Sequence, residues 1–321
     1  MTEPLRIVMM GTGRFALPTF RGLYQSSHQV VGLFTQPDRT GAGHHDHANP
    51  MKETAQEHGT PVFQPEKINQ PDGLASLRGL QPDLCVVAAY GQILSAELLA
   101  IPRLGAINVH ASLLPAYRGA APIQYAIWKG ETETGITLFQ IEPRLDAGPI
   151  LGRVATPIGL KETSGDLEQR LAELAVPLTL EVIEQLADGR AQPLPQDTSK
   201  ASKASRLKKE QGEIDWHQTS RLVDCHIRAM QPWPKPFTYW HHAGRAPLRL
   251  LILEVRGVES SSAATPGTVI GCDARRLSVK TCDGEVEVLR IQPEGKRAMT
   301  TDEFLRGYAV GDGDRFGPRD V

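Results

Sequence analysis

The chain has 321 residues, of which 40% are hydrophobic and 22% are charged, and its formal net charge is −2. This length predicts about two domains, and the composition excludes a largely disordered chain. No apolar run approaches the roughly 18 residues of a membrane span, and the N-terminus lacks the pattern of a secretory signal. The four cysteines are scattered, which is typical of a reducing compartment. We therefore expect a cytoplasmic protein.

The first 190 residues alternate short apolar runs with helical patterns. The runs predict strands over residues 5–10, 30–34, 84–88 and 106–109. The patterns between them predict helices over residues 15–25, 51–58, 73–80 and 95–99. Two more strands, over 135–140 and 150–155, precede a long helix that begins at Ser164 and ends before Gly189. Such alternation predicts an α/β domain with a doubly wound, mostly parallel sheet covered by helices on both faces.

The chain changes character after residue 189. Residues 190–208 have no periodic apolar face, and we interpret them as a linker. A helix over 221–230 and several short strands follow, at residues 248–255, 268–271, 277–281 and 286–291. Short strands in about 100 residues indicate a small antiparallel barrel. We therefore predict a first domain over 1–189 and a second over 209–321. From residue 206 onward, Lys and Arg number 18 and Asp and Glu 16, an imbalance that chance alone could produce.

A glycine-rich turn follows the first predicted strand. Gly11, Gly13 and Ala16 fit the G-x-G-x-x-A pattern of dinucleotide-binding turns. That pattern expects an acidic residue about 20 positions later, where this chain has Phe34-Thr35-Gln36. A tight turn from strand to helix is the favoured interpretation, and a nucleotide-dependent oxidoreductase is a minor alternative.

Two polar residues end the predicted strand at 106–109. Asn108 and His110 are two positions apart, so their side chains leave the same face of the strand. They also lie at the carboxyl end of a parallel sheet, where open α/β folds place their sites. Asn offers a neutral amide donor, and His offers a donor or a proton carrier near neutral pH. This pair favours chemistry over a structural role.

Two further groups are weaker candidates. Asp146 lies in Leu-Asp-Ala-Gly, and such an Asp is most often a turn residue. It becomes a catalytic candidate because a functional His110 needs an orienting carboxylate. The histidines at 44, 45 and 47 suggest a metal site, but neighbouring histidines in a Gly-rich stretch do not easily converge on one ion. We interpret that stretch as a solvated loop and predict no metal.

Taken together, these motifs resemble the folate-dependent formyltransferases. The resemblance is strongest at Asn108-Val109-His110, at residues 112–115, at Tyr117-Arg118-Gly119 and at Asp146. Four other segments resemble the methionyl-tRNA formyltransferases within that group: residues 34–39, 119–124, 228–234 and 292–299.

The resemblance implies a Rossmann-like formyltransferase domain followed by an OB-like β-barrel that binds tRNA. It implies 10-formyltetrahydrofolate as the formyl donor and initiator methionyl-tRNA as the acceptor, without metal or membrane. By this resemblance Asn108, His110 and Asp146 are the catalytic residues. The resemblance also implies that four residues border the folate, namely Ser112, Leu113, Leu114 and Pro115. It implies further that residues 90–94 line the pterin side.

Two departures from the family pattern stand out, and two alternatives stay open besides the nucleotide-dependent oxidoreductase. Relatives often have Pro where this chain has Gly13, and their basic loop is replaced here by residues 40–49, which contain no Lys or Arg. The catalytic residues do not distinguish a tRNA acceptor from an amino sugar or other small amine. A non-enzymatic RNA-binding module is a further alternative, although it would not need the Asn/His/Asp set. We expect a monomer because no interface pattern stands out.

Overall fold

The structure is a computed structural model that describes residues 3–38, 49–242, 244 and 246–320. Its contacts divide the chain into two compact units. The first unit contains Met1–Pro122, Glu133–Pro157 and Glu168–Ala204, and the second contains Ile123–Thr132, Ile158–Leu167 and Ser205–Val321. The second unit therefore takes two short segments from the earlier part of the chain.

The strands of the first unit are β1 (Arg6–Gly11), β2 (Gln29–Phe34), β3 (Val62–Phe63), β4 (Leu84–Ala88), β5 (Ala106–His110), β6 (Arg118–Gly119), β7 (Glu133–Gln140), β8 (Ile150–Pro157) and β9 (Lys203–Ala204). The helices of this part of the chain are α1 (Gly13–Tyr24), α2 (Pro50–Glu57), α3 (Pro71–Gly79), α4 (Ala96–Leu99), α5 (Pro122–Trp128) and α6 (Ser164–Ala187). The last two helices cross the boundary between the units.

Seven strands form the main sheet, in the order β3-β2-β1-β4-β5-β7-β8. The strands from β3 to β5 pair in parallel, whereas β7 pairs antiparallel with both β5 and β8. All five residues of β4 are buried, as expected of a central strand with helices on both faces. The predicted mostly parallel, doubly wound sheet is confirmed. Strand order reverses beside β1, so the carboxyl ends of β1, β4 and β5 lie where such sheets bind their ligands.

The second unit is built on an antiparallel sheet. Its elements are α7 (Ser220–Ala229), β10 (Phe237–His241), β11 (Leu248–Val258), β12 (Val269–Cys272), β13 (Leu277–Lys280), β14 (Glu285–Pro293), β15 (Met299–Thr300), α8 (Thr301–Gly307) and β16 (Arg315–Gly317). Six strands follow the order β12-β13-β14-β11-β10-β16, and β15 pairs with β14. The Phe316 amide donates to the Gly267 carbonyl at 2.7 Å and the Val269 amide donates to the Asp314 carbonyl at 2.8 Å. These bonds join the two end strands, so the predicted barrel-like sheet is confirmed.

The two early segments of the second unit pack against α7 and the turn after it. The Trp128 ring stacks on His226, with centroids 5.5 Å apart. Nη1 of Arg228 donates to the Glu162 carbonyl at 3.0 Å, and the Ser164 hydroxyl donates to the Gln231 carbonyl. This unit is therefore held together by contacts from three stretches of sequence.

The segment predicted to be a linker, residues 190–208, is divided between the units. Residues up to Ala204 lie in the first unit, where Leu194 bridges Ile150 and β9 pairs with β6. Residues from Ser205 lie in the second. A segment without an apolar face can still be ordered through backbone pairing, which leaves no periodic signal in the sequence.

Candidate active site

The site is built at the carboxyl end of β5. Asn108 and His110 pair with Phe139 and Thr137 of β7, so both side chains stand on one face of the sheet, as predicted. His110 is 5% exposed and Asn108 is half-buried. Within the part of the chain that the structure describes, no group hydrogen-bonds to the Asn108 side chain. Its amide N–H groups are therefore free to donate to a ligand.

The imidazole of His110 lies between a carbonyl and a carboxylate. Its Nε2 is 3.0 Å from the Tyr117 carbonyl, and a carbonyl only accepts, so Nε2 carries a proton. Its Nδ1 lies 4.0 Å from Oδ2 of Asp146. Burial lowers the pKa of His110 below its ordinary value of 6.5, while the Asp146 charge and the Tyr117 carbonyl act in the opposite direction. At neutral pH the ring is therefore uncharged, with a basic Nδ1 that faces the carboxylate.

Asp146 is held by its backbone and by one amide. Its φ of +47° lies in the left-handed region, which is uncommon for a residue other than glycine. Its side chain is 12% exposed, and Oδ2 accepts a hydrogen bond of 2.8 Å from the Gly119 amide. The structure therefore brings His110 and Asp146 together across 36 positions of sequence.

The four residues predicted to border the folate lie in the loop after β5 and differ in how deeply they are buried. Ser112 and Leu114 are buried, whereas Leu113 and Pro115 are half-buried. The Ser112 hydroxyl donates to the Ala116 carbonyl at 2.7 Å. Ser112 and Leu114 therefore shape the loop, and Leu113 and Pro115 are the pair whose side chains are accessible.

A threonine that sequence reasoning missed holds this loop. The Thr137 hydroxyl donates to the Ser112 carbonyl at 2.7 Å and accepts from the Leu114 amide at 3.1 Å. Thr137 is fully buried opposite His110. A buried polar residue in the apolar strand β7 was the available signal, since buried hydroxyls require partners.

The glycine-rich turn after β1 is the tight turn that we favoured. Gly13 has a φ of +77° at the start of α1. A Cβ at Gly11 would lie 2.9 Å from the Ala16 Cβ and 3.0 Å from the Ala88 carbonyl oxygen. Close packing between strand and helix therefore explains the small residues at 11 and 16.

The segment predicted to line the pterin side has one exposed apolar residue. The Tyr90 side chain is buried in the core beside β1 and β4, whereas Ile93 is 78% exposed. The Tyr90 carbonyl accepts from the Gln36 side chain at 2.8 Å. Of residues 90–94, Gly91 and Ile93 are exposed, Gln92 is half-buried, and Tyr90 and Leu94 are buried.

Some expectations concern absences or fall outside the described residues. Within residues 3–38, 49–242, 244 and 246–320, no cluster of His, Cys, Asp or Glu is arranged to hold a metal ion. In the same residues, no helix is both long and apolar enough to cross a membrane. The histidines at 44, 45 and 47 lie outside the described residues.

Comparison with known proteins gives consistent results over the whole chain. Residues 5–183 match the formyl transferase family, and residues 206–309 match the formyl transferase C-terminal domain. A methionyl-tRNA formyltransferase of Rhodopirellula baltica is 42% identical over 97% of this chain and 96% of its own length. The protein of the same name from Methylococcus capsulatus is 41% identical over 95% of this chain and 98% of its own.

Solved structures share the fold at lower identity. The sugar 3N-formyl transferase WlaRD, solved with dTDP and 5-N-formyl-THF, superposes with a TM-score of 0.66 at 17% identity, covering 91% of this chain and 99% of its own. HypX from Aquifex aeolicus, solved with tetrahydrofolic acid, gives a TM-score of 0.61 at 18% identity over 97% of this chain. This chain spans about half of HypX, or 50% of its length.

Proposed function

The chain belongs to the family of methionyl-tRNA formyltransferases, and from this premise we propose that it transfers the formyl group of 10-formyltetrahydrofolate to the free amino group of methionine on initiator tRNA. The observation that carries the proposal is the pair of His110 and Asp146 at the end of β5, with Nδ1 and Oδ2 4.0 Å apart. We propose that the protein acts in the cytoplasm as a monomer.

The acceptor is assigned from identity rather than from catalytic chemistry. The sugar formyl transferase shares the fold at 17% identity, whereas the methionyl-tRNA formyltransferases are 40–42% identical over nearly the whole chain. The second unit, which matches the C-terminal domain at 206–309, is the part we propose to bind tRNA. Formylation of an amino sugar is therefore the less supported alternative.

The reaction requires one bond to form and one to break. The amine nitrogen adds its lone pair to the formyl carbon, and negative charge develops on the formyl oxygen. The bond between that carbon and the folate nitrogen then breaks. The amine loses one proton and the departing folate nitrogen gains one, so the site must stabilise an oxyanion and move a proton.

The three proposed catalytic residues divide these tasks. The Asn108 amide donates to the developing oxyanion, because its N–H groups have no partner among the described residues. Nδ1 of His110 takes the proton that the amine releases, because its Nε2 proton is already bonded to the Tyr117 carbonyl. The imidazolium that forms lies between that carbonyl and Asp146, and in this charged state Nδ1–H can donate to the oxyanion or pass its proton to the folate nitrogen.

The folate-type donor is proposed to lie along the loop after β5. The half-buried Leu113 and Pro115 and the exposed Ile93 offer apolar surface to a ring system. Ser112 and Leu114 contribute by holding the loop backbone. A donor placed here would present its formyl group to the end of β5, where the catalytic side chains emerge.

Transfer of labelled formyl from the folate donor to charged initiator tRNA tests the proposed function. We expect turnover with charged initiator tRNA and at least about 100-fold lower kcat/KM with a nucleotide-linked amino sugar. A difference of this size corresponds to about 3 kcal/mol of differential transition-state binding. Uncharged tRNA is the control, because it lacks the amine. Equal or faster transfer to the amino sugar would contradict the assigned acceptor.

Replacement of Asn108 tests the oxyanion donor. We expect Asn108→Ala to lower kcat by at least about tenfold, since the loss of one such donor typically costs about 10²–10³ in rate. The KM for the folate donor should change little. Asn108→Asp has nearly the same shape but places an acceptor where the oxyanion forms, so it should be at least as impaired. Activity of either variant within about twofold of the wild type would remove Asn108 from the mechanism.

A further inference from the structure

One residue of the segment predicted to be a linker is engaged differently from its neighbours. Residues 192–195 and 197–200 are exposed, whereas Gln196 is half-buried. Its side chain makes four hydrogen bonds to groups outside its own segment. A long polar side chain loses considerable rotamer freedom when it is fixed in this way, so the contacts indicate a defined role.

The side-chain amide of Gln196 joins two groups of opposite hydrogen-bonding character. Its Oε1 accepts from Nε and Nη2 of Arg118, at 3.1 and 2.6 Å. Its Nε2 donates to the carbonyls of Asp146 and Gly148, at 3.0 and 2.7 Å. A guanidinium only donates and a carbonyl only accepts, so an amide satisfies both sides and a carboxylate satisfies just one.

The two carbonyls belong to the loop that carries the proposed catalytic carboxylate. Asp146 sits in the left-handed region, and such a conformation persists when its surroundings hold it. Within the described residues, Gln196 is the donor to both carbonyls. The loop backbone therefore depends on this amide for its position.

Arg118 connects the same amide to the other side of the site. Its backbone amide donates to the Ser202 carbonyl at 2.8 Å, within the pairing of β6 and β9. Its two neighbours bind the proposed catalytic side chains, since the Tyr117 carbonyl accepts from His110 and the Gly119 amide donates to Asp146. Gln196 thus contacts the backbone of the Asp146 loop and the side chain of Arg118, the residue between the two backbone groups that bind His110 and Asp146.

We propose that Gln196 is a positioning residue that fixes the Asp146 carboxylate relative to the imidazole of His110. This inference rests on the proposed function. Gln196 is expected to affect turnover rather than substrate binding, because none of its contacts is with the accessible residues proposed to border the folate. A displacement of about 1 Å in a reacting group can cost about 100-fold in rate.

The test compares three variants in formyl transfer to charged tRNA. We expect Gln196→Leu, which removes both sets of bonds, to lower kcat at least about tenfold with both KM values within about twofold. Gln196→Glu keeps the acceptor for Arg118 but turns a carboxylate toward the two carbonyls, so it should be similarly impaired. Gln192→Leu, an exposed site in the same segment, is the matched control and should behave as the wild type.

A second background separates positioning from general folding. We expect Gln196→Leu to cause no more than about a twofold loss when added to Asp146→Ala, since the group that it positions is then absent. Single-turnover assays with excess enzyme keep such slow rates measurable. The proposal is overturned if Gln196→Leu retains wild-type kcat, or if its loss is as large in the Asp146→Ala background. An inactive wild type would instead refute the proposed function itself.

Discussion

Asp146→Asn is expected to lower kcat by at least about 100-fold while the KM values stay within a few-fold, because it removes a charge that matters once the imidazolium forms. The asparagine has the same shape, and its oxygen can still accept from the Gly119 amide, which donates to Asp146 at 2.8 Å. The lower kcat would therefore result from the missing negative charge and not from a change in the structure of the loop. The measurement is steady-state formyl transfer with both substrates varied.

Asp188→Asn is the matched control for this variant. Asp188 is exposed and forms a surface ion pair with Arg190, and surface pairs of this kind contribute little to stability. Wild-type kcat in Asp188→Asn together with a kcat of Asp146→Asn within about threefold of the wild type would contradict the role of the carboxylate.

The pH dependence of Asp146→Asn is an independent test of the role of the carboxylate. Nδ1 of His110 accepts a proton only when the ring is neutral, so activity should fall as the pH drops through the pKa of His110. Burial lowers that pKa below 6.5, and the Asp146 charge raises it in opposition. Removing the charge must lower the pKa further. The acid limb of kcat/KM for Asp146→Asn should therefore move to lower pH, and a move to higher pH would contradict the assignment.

Gly119→Ala is expected to be the second severe change. Gly119 has a φ of +128°, and a Cβ there would lie 2.4 Å from the Ala204 carbonyl oxygen. Backbone rather than a flexible side chain blocks the new atom, so β6 must move away from β9. That movement withdraws the amide that holds Asp146. We expect kcat to fall by about 100-fold, as for a displacement of about 1 Å, and the midpoint of denaturant unfolding to fall as well.

Gly59→Ala separates the cost of placing alanine in left-handed backbone from the cost of the clash between β6 and β9. Gly59 has a φ of +65° and no atom within 4 Å of the position of a new Cβ. It should lose about 1 kcal/mol of stability, the usual cost of left-handed backbone in alanine, with normal kcat. If Gly119→Ala matched Gly59→Ala in both measurements, the contact between β6 and β9 would have no bearing on the site.

The sequence predicted the sheet and one side of the site well, for identifiable reasons. Apolar runs such as β4 are long enough to indicate buried strands, and Asn108 and His110 interrupt such a pattern with two polar side chains on one face. Asp146 carries no comparable local signal, since an Asp before Ala-Gly is typical of a turn. Its pairing with His110 depends on the fold, and resemblance to known enzymes was needed to select it.

Elements defined by few residues or by distant contacts were missed. The helix α8 has seven residues, and β6 and β9 have two each, which is too short for periodicity to indicate them. Gln196 lies among exposed residues, and its partners are 48 to 78 positions away in sequence. The interpretation of residues 40–49 stays a prediction, because 40–48 lie outside the described residues.

The second unit is built from three separate segments of the chain, and this restricts how the protein can be recombined with its relatives. A chimera joined only at residue 204 would combine α7 of one parent with Trp128 and Glu162 of the other, which contact His226 and Arg228. Transplanting the barrel intact requires three grafts, at 123–132, 158–167 and 205–321. Exchange of the second unit between homologues is therefore constrained at three separate sites along the gene.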